Sequence, residues 1–483
     1  MLRRTKIIAT MGPATDDPKA LDALIQAGVD VVRLNFSHGS HEEHRERAET
    51  VRNRARAHGR QVGVLCDLQG PKIRIERFKE GKVVLEEGAR FVLDASLGSD
   101  DGTAERVGIA YKQLPEDVKR GDTLLLDDGH VVLWVEDSLG AEIVCRVVVG
   151  GELSNNKGIN RQGGGLSAKA LTDKDRADIK VAADMRCDYL ALSFPRCADD
   201  VNEARELLRQ AGGHGGIIAK IERAEAMNNL EEIIEASDAV MIARGDLGVE
   251  IGDAELPAVQ KRIIHIARGL DRVVITATQM MQSMVESPIP TRAEVFDVAN
   301  AVIDGTDAVM LSAETATGKY PDKVVAAMDR ICKGAERQRN AMVTERRQQM
   351  HFNRIDEAIA KAAMYTANHL GVKAIAALTE SGATPLWMSR ISSGIPIYAL
   401  TRHVETRRKV TLYRGVYPVS FDVTSTDHAE VNREAIDELV RRGAVRDGDL
   451  VIITKGDLAG VLGGTNAMKI LRVGEHELHQ DEL

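Results

Sequence analysis

Short apolar runs alternate with helical patterns through most of the first two thirds of the chain. The runs at 6–10, 29–34, 62–66, 188–192, 216–220, 239–243, 272–276 and 307–311 are rich in Val, Ile or Ala and end in polar residues or glycine, which predicts strands. Between most of them lie stretches of helical periodicity, among them 17–27, 41–58 and 199–211, the last with Leu207 and Leu208 on its apolar side. Eight strand–helix units predict a TIM (β/α)8 barrel, closed rather than open.

One segment breaks this rhythm. From 71 to 169 the pattern turns to strict alternation (KVVLEEGARFVLD, DTLLLDDGHVVLWVED, AEIVCRVVV), with DDG and GG turns between the runs. That texture predicts an inserted all-β domain. Its ends, QGPKIR and NNKGINRQGGGLS, are glycine-rich and charged, as suits the hinges of a lid. After Thr344 a charged run leads to a second α/β pattern: a helix at 355–370, then strands at 372–378, 395–400, 416–419, 449–453 and 467–471. The predicted organisation is a barrel at 1–70 and 170–345, an inserted β lid at 71–169, and a C-terminal α/β domain at 346–483.

Composition agrees with covered parallel sheets. Hydrophobic residues make up 43% of the 483, aromatics only 3%, so the cores fall to Val, Ile, Leu, Ala and Met. The N-terminus is basic but lacks the apolar core of a signal peptide, and there is no run of about 18 apolar residues, so no membrane partner and a cytoplasmic setting are expected. Five scattered cysteines without metal-ligand spacing read as buried thiols in a reducing compartment. A formal net charge of −9 without a strong basic block argues against nucleic acid as a partner.

In a barrel of this kind the chemistry collects at the C-terminal ends of the strands. Strand two ends in Arg33, Asn35, Ser37 and His38, and strand three in Asp67, Lys72 and Arg74. Strand five ends in Lys220 and Glu222, strand six in Arg244 and Asp246, strand seven in Thr276, Thr278 and Gln279, and strand eight in Ser312 and Glu314. Glu222 and Asp246, from adjacent strands, suit a hard cation such as Mg2+ or Mn2+ with positions left for substrate oxygens. Arg33 and Lys220 supply positive charge for a phosphoryl group or an enolate. Taken alone, GDLG is more often a turn than a metal site, and KIE a salt bridge at a strand end. Six polar strand ends in register are harder to explain as structure alone. Arg244 reads as an organiser of its own loop. In HGSHEEH the histidines at 38, 41 and 44 read as helix surface, with the imidazoles pointing outward, although His38 is placed to meet a phosphate. ETATGKY lacks the leading glycine and the final Ser or Thr of a P-loop.

MGPAT, RLNFSHG, DLQGPKIR, NNKGIN, AKIERAEA, ARGDLGVE, TATQMMQSM and MLSAETATGKYP together resemble the pyruvate kinase family, over essentially the whole chain. The resemblance implies a glycolytic enzyme that moves a phosphoryl group from phosphoenolpyruvate to ADP, giving pyruvate and ATP. It implies that Glu222 and Asp246 hold the divalent cation, that Lys220 bridges phosphoryl group and enolate oxygen, and that Arg33 binds the phosphate. Thr278 matches a threonine beside the enolate carbon and Ser312 a member of a proton relay. The amides around Gly245 and Asp246 match those holding the substrate carboxylate. Asn35, His38, Arg74 and Lys157 fall in motifs associated with the nucleotide phosphates, Lys157 arriving from the lid. The rival reading is another divalent-metal barrel enzyme acting on phosphoenolpyruvate or a keto acid, of the lyase or aldolase class. Such an enzyme would not need the lid or the nucleotide motifs.

One departure carries information. Where the commoner family pattern resembles DTKGPEIR, whose Thr and Glu accompany a potassium ion, this chain has Leu68, Gln69 and Lys72. A fixed ammonium at Lys72 would stand in for the monovalent cation, so K+ is predicted not to be required, as in the potassium-independent branch. In the C-terminal domain Thr379, Ser381, Gly382 and Thr384 form a small-residue loop suited to a phosphate. The family uses this segment for allosteric control, and the pattern resembles the bacterial form activated by AMP or a sugar monophosphate. Ala383 stands where related loops often carry arginine, which leaves the effector open. Trp387, Ser389 and Arg390 follow, with packing as the leading reading and an extension of the effector site as the alternative. A homotetramer is implied by the family alone.

Overall fold

The computed structural model describes residues 2–71, 73–338, 352, 354–457, 460 and 462–475. Its centre is a closed barrel of eight parallel strands: β1 (Lys6–Thr10), β2 (Val31–Asn35), β3 (Gly63–Asp67), β4 (Tyr189–Leu192), β5 (Gly216–Ile221), β6 (Ala239–Ala243), β7 (Val273–Ala277) and β8 (Ala308–Leu311). Each differs from its predicted run by two residues or fewer at either end.

The strands are apolar on both faces, and their period of two separates two cores. Ile7, Ala9, Val32, Leu34, Val64, Cys66, Leu190, Val240 and Val309 face outward, under the helices. Ile8, Val31, Leu65, Ala191, Ile218, Met241, Ile275 and Met310 belong to the other, inward-facing set. Continuing that series by two residues along the chain reaches Thr10, Arg33, Asp67, Ser193, Lys220 and Ser312. The polar rim is therefore the next layer of the barrel interior, set by side-chain alternation.

Between β3 and β4 lies the all-β insert. It has a two-stranded antiparallel sheet, Lys82–Leu85 with Gly151–Ser154, and a six-stranded sheet. The latter runs Ile159–Arg161, Thr123–Leu126, Val131–Leu139, Glu142–Val149, Arg90–Asp94, Arg106–Gly108 and encloses its own core of Phe91, Leu93, Leu124, Leu133, Ile143 and Val147. The C-terminal sheet has five strands in the order Val416–Ser420, Ile397–Thr401, Ala374–Leu378, Leu450–Gly456, Thr465–Arg472, the last antiparallel. The inward-facing barrel core runs on into this part of the chain through Ala360, Met364, Ile375 and Met388. The C-terminal unit thus closes the barrel floor and leaves the opposite mouth to the rim. Among the described residues no helix is long and apolar enough to cross a membrane.

Candidate functional site

Asp67 organises the mouth of the barrel. It is fully buried; its Oδ2 accepts from Arg33 Nε at 2.7 Å and its Oδ1 lies 3.3 Å from Lys220 Nζ. Arg33 Nη1 also donates to Thr10 Oγ1 at 3.1 Å. Lys220 Nζ donates to Ser193 Oγ at 2.8 Å and lies 3.0 Å from Glu222 Oε1. Burial pushes the Asp67 carboxyl up, but Lys220 and Arg33 outweigh it and hold it below the usual range. Burial pulls the Lys220 ammonium down, and Asp67 and Glu222 more than reverse this. The Lys220 ammonium therefore stays charged, and both cationic side chains are held in place with little exposure, as a phosphoryl site requires.

Glu222 is buried, and its Oε2 accepts the Phe194 N–H at 2.8 Å. Burial raises its carboxyl, Lys220 lowers it, the charge of Asp246 raises it again, and the net is upward. Two carboxylates that repel in this way fit a divalent cation, and among the described residues no cluster of three or more acidic, His or Cys ligands offers a competing site. A pair of carboxylates, which would leave other positions to water and substrate, suits the habit of Mg2+.

Asp246 lies in the first turn of the helix Arg244–Ile251, next to β6. Gly245 N–H donates to Thr278 Oγ1 at 2.9 Å, and the Thr278 hydroxyl donates to the Ala277 carbonyl at 2.7 Å. Thr278, Gln279 and Phe194 hold left-handed backbone, with φ of 65°, 55° and 56°. For non-glycine residues this costs roughly 1–3 kcal/mol each and clusters at functional sites. Arg244 donates to the carbonyls of Ala277 (3.2 Å) and Thr278 (2.8 Å) and pairs with Asp297 at 2.7 Å, as expected of a loop organiser. Ser312 follows β8, and its N–H donates to buried Glu314 at 2.6 Å.

Asn35 ends β2, and its Oδ1 accepts the Ser37 N–H at 3.1 Å. His38 is exposed beside it. The expectation of an outward histidine row fails at His44, which is only 3% exposed. Its Nε2 donates to the His38 carbonyl at 2.8 Å and its ring packs 4.7 Å from that of Phe36, because the helix starting at His41 turns this position inward. His41 instead meets Asp178 at 2.7 Å. Arg74 and Lys157 come together where the two ends of the insert cross: Arg74 bridges Gly158 and donates to the Asn156 carbonyl at 2.7 Å, while Lys157 pairs with Asp127 at 2.8 Å. Lys72 lies outside the described residues; Leu68, the other departure in this segment, is buried.

The sequence names Asp67 among the strand ends without its role, and does not single out Ser193. Asp67 was one polar strand end among several, with nothing to mark it as the shared partner of two cations. Ser193 directly follows β4, and its signal is the same kind of polar strand end, in LSFPR.

In the C-terminal unit Thr379 Oγ1 accepts the Gly382 N–H at 2.9 Å, and Thr384 shares a hydroxyl contact of 2.9 Å with Thr465. Gly382 has φ +83°, and a Cβ there would meet Val410 Cγ1 at 2.9 Å, so no other residue fits the turn unstrained. Thr379, Ser381 and Thr384 line a cavity of about 320 Å³, together with Arg402, His428 and Lys455. Ser389 and Arg390 are buried and take no part in it.

The family model for the pyruvate kinase barrel domain matches residues 2–325, and that for the pyruvate kinase alpha/beta domain matches 357–471. The chain is 58% identical to the pyruvate kinase II of Salmonella typhimurium, over 98% of this chain and 99% of the relative. It is 56% identical to a pyruvate kinase of Buchnera aphidicola from Acyrthosiphon pisum, with the same coverage, and 55% identical to that of Haemophilus influenzae, over 94% and 96%. These matches exclude the lyase or aldolase alternative. The chain belongs to the pyruvate kinase family and is an enzyme of phosphoryl transfer between phosphoenolpyruvate and ADP, with the family's use of a divalent metal.

Proposed function

We propose that transfer takes place at the mouth of the barrel, with Glu222 and Asp246 as the protein ligands of Mg2+ or Mn2+. The observation that carries this is the position of Lys220 Nζ, 3.0 Å from Glu222 and 3.3 Å from Asp67, with Arg33 on the far side of the same aspartate. When bound, the cation neutralises phosphoryl and enolate oxygens as a Lewis acid. Arg33 grips the phosphoryl group of phosphoenolpyruvate. Lys220 follows that group as its bond to the enol oxygen breaks, then faces the enolate oxygen left behind. The amides of Gly245 and Asp246 orient the substrate carboxylate. Asn35, His38, Arg74 and Lys157 meet the ADP phosphates, the last two as the lid closes. Thr278 and Ser312, with water, relay a proton to the enolate carbon. Positioning and charge neutralisation are what phosphoryl transfer chiefly needs.

Lys72 takes the place of a monovalent cation, so K+ is not required. The cavity beside Thr379, Ser381, Gly382 and Thr384 receives AMP or a sugar monophosphate, with allosteric control through the C-terminal unit. The barrel at 1–70 and 170–345, lid at 71–169 and effector domain at 346–483 act as one protomer of a cytoplasmic homotetramer. Lys220→Met tests the central assignment: phosphoryl transfer is lost while the circular dichroism spectrum and melting profile stay native-like. Near-normal turnover in that variant would overturn it.

A further inference from the structure

Where the lid's return strand re-enters the barrel, one buried carboxylate holds three chain segments. Glu250, 5% exposed, sits in the helix Arg244–Ile251, one turn after Asp246. Its Oε2 accepts the N–H of Ala224 at 2.8 Å, two residues beyond Glu222. Its Oε1 accepts from Asn160 Nδ2 at 3.3 Å, and its main-chain carbonyl accepts the Gly163 N–H at 3.0 Å. Asn160 and Gly163 belong to the stretch that leads out of the lid.

The neighbouring contacts follow the same plan. Glu225 accepts the Gly165 N–H, and Arg223 donates to the carbonyls of Leu166 (3.3 Å) and Ala168 (3.2 Å). Arg223 also lies over the Phe194 ring, 5.4 Å from its centroid, and the Phe194 N–H is the one that holds Glu222. The hinge is therefore built on the residues that follow Glu222 and on the helix that carries Asp246.

We propose that Glu250 is a positioning residue that couples the lid to the divalent-cation site, fixing the separation of the Glu222 and Asp246 segments according to where the return hinge sits. A lid that moves must pull on Asn160, and Asn160 reaches both segments through this one side chain. Changes made only in the lid's hinge should then be felt by a cation that the lid does not touch. The proposal rests on the assignment of Glu222 and Asp246 as cation ligands.

The test is Mn2+ binding to the full-length protein without substrates, followed by electron paramagnetic resonance of the free ion. Asn160→Ala removes the lid's hydrogen bond to the Glu250 side chain and is expected to weaken Mn2+ about tenfold, with a native-like melting profile. Glu250→Leu should weaken it as much or more, and Glu250→Gln, whose amide can accept from Ala224 and donate to the Asn160 oxygen, should restore it to within about twofold. The same split should appear in steady state, with a raised KM for ADP and little change in kcat at saturating Mn2+. Glu222→Gln is the control. If it abolishes Mn2+ binding while Asn160→Ala leaves the affinity unchanged, the coupling is overturned and the cation assignment stands. If Glu222→Gln binds Mn2+ normally, the assignment falls and takes the coupling with it. Should Glu250→Leu fail to fold, Asn160→Ala and Glu250→Gln still decide the question.

Discussion

Arg390 and Asp307 form a two-point ion pair with 0% exposure on both side chains, Nη1 lying 2.9 Å from Oδ2 and Nη2 resting on Oδ1. Asp307 precedes β8 at the barrel floor and also accepts the Val274 N–H at 2.9 Å. Arg390 comes from the C-terminal unit, so the pair bolts the two together on the side away from the rim. Removing one partner leaves an uncompensated buried charge, which costs about 3–5 kcal/mol. Arg390→Met is expected to lower the urea midpoint accordingly. Arg390→Lys should recover only part of the loss, since an ammonium cannot reproduce the planar fork.

Asp67→Asn keeps the shape of the rim and removes the charge shared by Arg33 and Lys220. Arg33 is then left with Thr10, and Lys220 with Ser193 and Glu222, so both are aimed less firmly. The expected result is a fall in kcat of about 10²-fold, the scale associated with a small misplacement of reacting groups. A coupled assay of pyruvate formation measures it. A kcat within threefold of wild type would show that Asp67 does not set their geometry.

Exchange of NaCl for KCl at fixed Mg2+ and ionic strength is expected to change the rate less than twofold. Leu68→Thr combined with Lys72→Glu should create a K+ requirement, because it restores a hydroxyl and a carboxylate and removes the ammonium. Large K+ activation of the unaltered enzyme would sink the surrogate reading.

Burial pushes the Glu250 carboxyl up to about 7; Glu225 adds to this, while the Ala224 N–H, Asn160 and Arg223 oppose it. Between the ordinary value of 4.5 and about 7 the folded protein holds more protons than the unfolded chain. This group's contribution to stability is therefore complete below 4.5 and is lost as the pH rises to about 7. Glu250→Gln cannot titrate, so its melting temperature should gain on wild type between pH 5 and pH 8. A pH-independent difference would show that Glu250 has an ordinary pKa in the fold.

Gly382→Ala places a Cβ against Val410 in a backbone region unfavourable to side chains. The loop should shift, weakening AMP or ribose 5-phosphate binding by at least tenfold in calorimetry. Unchanged affinity would move the effector elsewhere.

The pattern of short apolar runs and helical stretches was enough to locate the barrel, and the polar residues ending those runs were enough to name Arg33, Lys220, Glu222 and Asp246, because a polar strand end is a local property. It also exposed the insert, whose period of two differs from the helical texture on either side. His44 escaped because a helix beginning at His41 buries that position under Phe36, a contact that depends on how the helix docks. Ser193 was legible in principle, since it follows β4 as Ser312 follows β8.

What the sequence determined by itself is the set of elements and the chemical types gathered at the mouth, down to the Glu222 and Asp246 carboxylates. Only the tertiary structure decided who is paired with whom: Asp67 between Arg33 and Lys220, Arg390 against Asp307, and Glu250 between the lid and the rim. The physical reason is that strand and helix periodicity are written in neighbouring residues. An ion pair is settled by how distant segments pack, and by which of several nearby charges reaches it once water is gone.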